Sequence, residues 1–229
     1  MAEIFDFFAE WPEKYDMWFE TPMGRLVREY ESRLLLGVAR PGQGEKILDV
    51  GCGTGVFTAD LLAAGSRVTG LELSLPMLRR AGKKASGLSF HMVRGDMRRL
   101  PFAVGSFDKT VSVTAIEFLD EDAPSAVAEM FRVTRPGGLI VVASLNSLSP
   151  WAARRRAAAV RDHTIFAHAR FRSPSEMKGL APLPASIRTA VHFDKHDDPS
   201  RAVDIERDGD ARGLDTGAFL VACWEKPAV

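Results

Sequence analysis

Three glycines at alternate positions, Gly51, Gly53 and Gly55, close the run Ile-Leu-Asp-Val-Gly-Cys-Gly-Thr-Gly at residues 47–55. A short apolar segment leads into them, and helical spacing follows at Val56, Phe57, Leu61 and Leu62. A strand, a tight glycine turn and a helix in that order bring bare backbone close to a ligand. The same arrangement aims the unpaired N–H groups of the helix's first turn at one spot. Two carboxylates recur at matching places. Glu72 ends a second apolar strand, seventeen residues past Gly55, and Asp96 follows a third in Gly95-Asp96-Met97. In an open parallel sheet, ligands lie outside the carboxyl ends of the strands, so the loop and both acids share one edge.

Three ligands compete for such a cradle. A nucleoside triphosphate needs Gly-x-x-x-x-Gly-Lys-Ser/Thr, which does not follow the first strand. A nicotinamide dinucleotide pairs with Gly-x-Gly-x-x-Gly, whereas here Val56 holds the sixth place. The third is S-adenosylmethionine, which has no phosphate. It needs an acid for its ribose hydroxyls and an acceptor for its adenine amine, and Glu72 and Asp96 stand in that order.

The elements that must hold these residues read clearly from residue 46 onward. Strands are expected at 46–50, 67–73, 88–94, 107–113 and 138–145, with helices at 53–64, 74–85 and 122–133. Ser74 reads as an N-cap, and Arg135-Pro136-Gly137-Gly138 as a stop. The alternation predicts a parallel sheet with helices on both faces. Further on, 151–160 reads as helix, Ser173-Pro174-Ser175-Glu176 as a capping box, and 187–193 and 218–225 as two last strands. The acidic, glycine-bearing stretch 194–216 reads as a mobile loop.

Bulk properties narrow the classes. A chain of 229 residues with 46% apolar and 26% charged residues suits one globular domain. Net charge is zero, so the total gives no attraction to nucleic acid or membrane. The apolar runs are too short to span a bilayer. The start Met-Ala-Glu-Ile-Phe-Asp lacks the basic region of a signal peptide. Cys52 and Cys223 form neither a disulfide framework nor a zinc pattern, and the expected location is cytoplasmic. Charge is uneven, however: residues 154–172 hold six arginines against one acid, and 194–215 hold eight acids against four bases. Aromatics crowd the first nineteen positions, at Phe5, Phe7, Phe8, Trp11, Tyr15, Trp18 and Phe19, as in a packed amphipathic helix or a flap over a ligand.

Taken together, Ile47–Gly55, Val68–Ser74 with Pro76-Met77-Leu78, Gly95–Phe102 with Ser106-Phe107-Asp108, and Arg132-Val133 with Arg135–Gly138 resemble the class I S-adenosylmethionine-dependent methyltransferases. The likeness is to their small-molecule branch, the ubiquinone/menaquinone C-methyltransferase-like type 11 family. It covers 46–145 strongly and touches Tyr15-Asp16. It implies a Rossmann-like, doubly wound, seven-stranded mixed sheet with the last strand antiparallel. Within a single domain, 1–40 would be an aromatic helical flap, 46–145 the cofactor core, 146–184 a cap over the acceptor, and 185–229 a terminal strand pair.

The resemblance also implies roles. Gly51, Cys52 and Gly53 would line the methionine end of the cofactor, and Asp49 would brace the loop. Glu72 would hold the ribose, and Leu73 and Met77 would flank the adenine, which Asp96 and Met97 would meet. Thr114 would sit beneath the sulfonium, and Tyr15 would stack on the cofactor or donate to it. The reaction would move a methyl group to a small-molecule acceptor and leave S-adenosylhomocysteine. Glu117, in Ile116-Glu117-Phe118, is the nearest acid–base candidate, with His163 and His168 in the roof segment behind it. Arg154 and Arg161, seven apart, would share a helix face suited to an anionic acceptor. No metal is implied. The sequence also leaves room for a protein that binds S-adenosylmethionine without transferring its methyl group, as a sensor or scaffold.

Overall fold

The computed structural model describes residues 12–162 and 164–228. Phe5, Phe7, Phe8, Trp11 and His163 lie outside the described residues. A seven-stranded sheet runs in the order β3-β2-β1-β4-β5-β7-β6. Strands β1 (Lys46–Val50), β2 (Arg67–Glu72), β3 (Phe90–Arg94), β4 (Phe107–Val113) and β5 (Thr134–Leu145) pair in parallel. Strand β7 (Phe219–Glu225) lies antiparallel between β5 and β6 (Ser186–Ala190). The mixed sheet with an antiparallel last strand is therefore present. The helices are α1 (Pro12–Glu20), α2 (Pro22–Ala39), α3 (Thr58–Ala63), α4 (Leu75–Lys84), α5 (Ala123–Val133), α6 (Pro150–Asp162), α7 (Pro174–Lys178) and α8 (Pro199–Ala211).

Alternation along β1 explains the two layers. Ile47 packs with Leu35 of α2, Leu61 of α3 and Ala202 of α8 on one face. Leu48 and Val50 pack with Val127 and Met130 of α5 and Met177 of α7 on the other. A strand covered on both sides needs an apolar run rather than strict alternation. Each such fully buried aliphatic side chain contributes roughly 1.5–3 kcal/mol.

Four local readings change. The helix expected at 53–64 begins only at Thr58, and Gly51–Phe57 forms turns. Positive φ at Gly51, Gly53 and Gly55 keeps this stretch out of the helical region. Strand β5 starts at Thr134 rather than 138, because Thr134 pairs with Phe107 ahead of an irregular step in the ladder. The strand read at 187–193 is Ser186–Ala190, since Val191 turns to φ 65.

The largest change is at 194–216, which contains helix α8 rather than a mobile loop. Asp198 caps it by accepting from the Ser200 N–H at 2.9 Å, and Pro199 opens it. Its inner face is Ala202, Glu206 and Gly209. Glu206 accepts from the backbone N–H groups of Val191 and His192 at 2.9 and 2.7 Å, and this fastens the helix to the end of β6. The capping box at Ser173–Glu176 is present as read, with both reciprocal bonds made.

Candidate active site

A cavity of about 840 Å³ opens over the carboxyl ends of the parallel strands. Strand order reverses between β1 and β4 there, the place where open α/β sheets bind ligands. Tyr15, Gly51, Cys52, Gly53, Glu72 and Leu73 all line it. So do Met77, Asp96, Met97, Thr114, Glu117 and Asp49. His168 is not part of it.

The glycine loop is held from several sides. The N–H groups of Gly51 and Cys52 both donate to the Leu71 carbonyl, at 2.7 and 3.1 Å, which ties the loop to β2. A Cβ on Gly51 would stand 2.5 Å from the Cβ of Ala115, and one on Gly55 3.0 Å from that of Ala81. A Cβ on Gly53 would meet nothing within 4 Å, so the loop's middle faces open space. Gly51→Ala is therefore expected to cost about 1–3 kcal/mol, from strain at φ 75 and overpacking. A lowered denaturation midpoint would show it. Asp49, 2% exposed, accepts from the Thr58 hydroxyl at 2.6 Å and so pins the start of α3. Burial pushes its carboxyl up to about 7. Burial also raises the Cys52 thiol well above its usual value, which keeps it a filler of the loop and not a nucleophile.

Glu72 accepts the Gly53 N–H on one oxygen at 3.0 Å and the Ser74 N–H on the other at 2.8 Å. A carboxylate has about four lone-pair sites, so Glu72 keeps acceptor capacity for a further donor. Burial raises this carboxyl, against the opposing pull of those backbone bonds. Asp96 is clasped by Arg98, whose Nη2 lies 2.6 Å from Oδ2 and whose backbone N–H lies 2.9 Å from Oδ1. That guanidinium holds the Asp96 carboxyl below its ordinary value, so it remains a charged acceptor. Thr114 adopts φ 47, an uncommon conformation for a β-branched residue, and its side chain lies near the Tyr15 phenol.

Helix α1 is locked over this floor. The Asp16 carboxylate accepts from the Thr54 hydroxyl of the glycine loop at 2.6 Å, from Lys84 Nζ at 2.7 Å, and from Arg80 Nε. Tyr15, Trp18 and Phe19 of the same helix line the cavity. Trp18 meets the Trp151 ring edge-on at 6.3 Å, and Trp151 Nε1 donates to the Phe193 carbonyl at 2.8 Å. Of the N-terminal aromatics, the described Tyr15, Trp18 and Phe19 thus line the cavity and pack against other rings. Asp16 was legible only as the neighbour of Tyr15.

Beyond β4 the cavity contains a second polar group. Glu117 is 1% exposed, and its Oε1 accepts from the Leu145 N–H at 2.6 Å. Its turn is pinned by Arg172, which donates to the carbonyls of Ile116, Leu119 and Asp120 at 2.9, 2.6 and 3.0 Å. Glu31 of α2, Arg155 of α6, and Lys195 and His196 after β6 also line the cavity. None of these four was singled out from sequence. One signal was available: Glu31 interrupts the buried stripe Val27–Glu31–Leu35 at four-residue intervals. A charge in such a stripe is rarely there for packing. Arg154 and Arg161 both reach the cavity, but Arg154 is already paired with Asp194.

Comparison with known proteins bears on the same core. Residues 48–142 match the methyltransferase domain model of the type 11 family. That match lies within the core that carries the glycine loop, Glu72 and Asp96. It is 37% identical over 132 residues to the malonyl-[acyl-carrier protein] O-methyltransferase of Erwinia pyrifoliae, covering 54% of this chain and 49% of that protein. It is 42% identical over 114 residues to the demethylmenaquinone methyltransferase of Beutenbergia cavernae, covering 50% and 45%. The matched stretch thus spans about half the length of these relatives. Among solved structures, a SAM-dependent methyltransferase of Thermotoga maritima, described as a possible histamine N-methyltransferase, superposes with TM-score 0.75. That likeness covers 97% of this chain and 99% of the other at 21% identity, and it speaks for the fold alone.

The residues present suit S-adenosylmethionine, the cofactor that the resemblance in sequence implies. Gly53 presents bare backbone to the open cavity. Glu72, held by backbone N–H groups, lines the cavity as an acceptor beside Gly53.

Proposed function

We propose that the protein transfers a methyl group from S-adenosylmethionine to a small-molecule acceptor. The observation that carries this reading is Glu72, fixed by the Gly53 and Ser74 N–H groups in the wall of the cavity beside the glycine loop. In this reading Glu72 holds the ribose, Asp96 and Met97 meet the adenine, and Leu73 and Met77 flank it. Gly51, Cys52 and Gly53 line the methionine end, while Thr114 and Tyr15 bound the region where the methyl group is presented. The cofactor supplies an already activated methyl on a sulfonium. What the chain must add is alignment, which supplies up to ~7–11 kcal/mol where both partners are held in near-attack geometry.

In this reading the acceptor enters between α1 and α6, under the cap segment 146–184. We take it to be a small molecule rather than a nucleic acid, because much of the arginine-rich segment is committed internally. Arg154 pairs with Asp194, and Arg170 with Asp120 and Glu176. Among the described residues no helix is long and apolar enough to cross a membrane. We place the reaction in the cytoplasm, a setting that suits the unpaired thiols of Cys52 and Cys223. Incubation with methyl-labelled cofactor and a broad metabolite extract is expected to give a labelled small product. Tight cofactor binding with no labelled product would instead favour the sensor or scaffold reading.

A further inference from the structure

We propose that the acceptor half of the cavity binds a small organic ammonium, seated between Glu31 and Glu117 against aromatic walls. This rests on the methyl-transfer reading and names its substrate class. Both carboxylates line the cavity and are nearly inaccessible from outside, at 6% and 1% exposure. Among the described residues no group donates a hydrogen bond to Glu31. Glu117 spends Oε1 on the Leu145 N–H, while its buried Oε2 has no partner. The Ser144 hydroxyl lies near enough to ease the charge of Glu117 without hydrogen-bond geometry. Buried polar groups in folded proteins are almost always matched. Two buried acids with spare acceptor capacity, facing one cavity, mark where a donor arrives.

Charge accounting gives that donor its sign. The cations near Glu31 are Arg28 and Arg155. Arg28 is already committed to Asp60 at 2.6 Å and to the Val56 carbonyl at 2.7 Å. Arg172, near Glu117, is spent on three backbone carbonyls. Arg155 therefore faces both acids alone, resting over the rings of Trp151 and Phe166 at 5.3 Å from each centroid. Two acids thus face one uncommitted guanidinium, and Lys195 and His196 line the same cavity without a contact to either acid among the described residues. Burial accordingly raises both carboxyls, that of Glu31 to about 7. The remaining neighbour, the Tyr15 phenol, is raised by burial as well and stays neutral. Arg155 on its two rings also shows that these walls accept a cation.

The position leaves room for the cofactor. Glu72 ends β2 and Glu117 follows β4, on opposite sides of β1. Two strand spacings, roughly 10 Å, separate the adenosine end from the ammonium. Before transfer the ammonium gives one N–H proton to the Glu31 carboxylate and becomes a neutral amine. The N–C bond then forms as the C–S bond breaks, sulfur keeps the electron pair, and the positive charge returns to nitrogen between the two acids.

The test is calorimetric titration of the protein, alone and saturated with S-adenosylhomocysteine, with 2-phenylethylammonium, 2-phenylethanol and 3-phenylpropionate. The ammonium is expected to bind at least tenfold more tightly than the other two. Glu31→Gln and Glu117→Gln are each expected to lose tenfold or more for the ammonium, with S-adenosylhomocysteine affinity within twofold of wild type. Equal binding of the alcohol or the carboxylate, or no ammonium binding, would overturn the proposal. So would a Glu31→Gln variant that loses S-adenosylhomocysteine instead, because Glu31 would then serve the cofactor's own amino group. Ammonium binding by a protein that ignores S-adenosylhomocysteine would uphold the cation site and overturn the methyl-transfer reading.

Discussion

Glu72→Ala is expected to weaken S-adenosylhomocysteine binding by at least tenfold in calorimetric titration. A ribose diol would donate one hydrogen bond to each Glu72 oxygen, and bonds to a charged group contribute roughly 1.5–3 kcal/mol apiece. Losing even one of them accounts for about a tenfold change. The same carboxylate holds the Gly53 and Ser74 N–H groups, so Glu72→Gln serves as the control. It retains one carbonyl acceptor and should fall between wild type and alanine. Burial raises the Glu72 carboxyl, so the ionised form is lost at a higher pH than for a free glutamate. Cofactor affinity should therefore decline on acidification before an exposed carboxylate would titrate, and the alanine variant should lack that limb. Unchanged affinity in Glu72→Ala would sink the ribose assignment.

Asp16→Ala is expected to cost about 2 kcal/mol or more of stability and to speed cofactor release. Removing one member of a fully buried ion cluster costs about 3–5 kcal/mol. The figure here is lower because the side chains of Arg80 and Lys84 are 35% and 33% exposed. Burial raises the Asp16 carboxyl, but hydrogen bonds from Lys84, Thr54 and Arg80 outweigh it, and the net shift is downward. A depressed folded-state value means that Asp16 adds stability above its unfolded value of about 3.9, and that this is lost as pH falls through the folded value. Chemical denaturation from pH 7 downward should show a shallower acid loss in Asp16→Ala than in wild type. Stopped-flow displacement of bound S-adenosylhomocysteine measures the release rate. An unchanged rate would mean that α1 does not govern exit.

What could be read in advance was local in sequence. Gly51, Gly53 and Gly55 announce a turn by their own spacing, and Glu72 and Asp96 announce strand ends by their place after apolar runs. The capping box at Ser173–Glu176 lies within four consecutive residues. What escaped depends on distant pairing. Asp16 meets Thr54 across 38 positions and Lys84 across 68, and neither pattern shows in a window of chain. Arg172 reaches Ile116 across 56 positions. Helix α8 was hidden for a different reason: its acidic outer face masks the short inner stripe of Ala202, Glu206 and Gly209, and that stripe has meaning only against β6. Glu31 was missed because the aromatic residues ahead of it drew the reading, although its place in an apolar stripe was open to view.

The edge-on meeting of Trp18 and Trp151 has an optical consequence. The two indoles belong to different ends of the chain and lie 6.3 Å apart across the seam between α1 and α6. At that distance their strong far-ultraviolet transitions couple, and the pair should add an exciton couplet to the circular dichroism of the folded protein. Any event that parts the first helix from the roof must erase it, while the backbone signal of the sheet persists. The protein therefore carries its own label for the opening of the cavity, readable without a dye or a known acceptor.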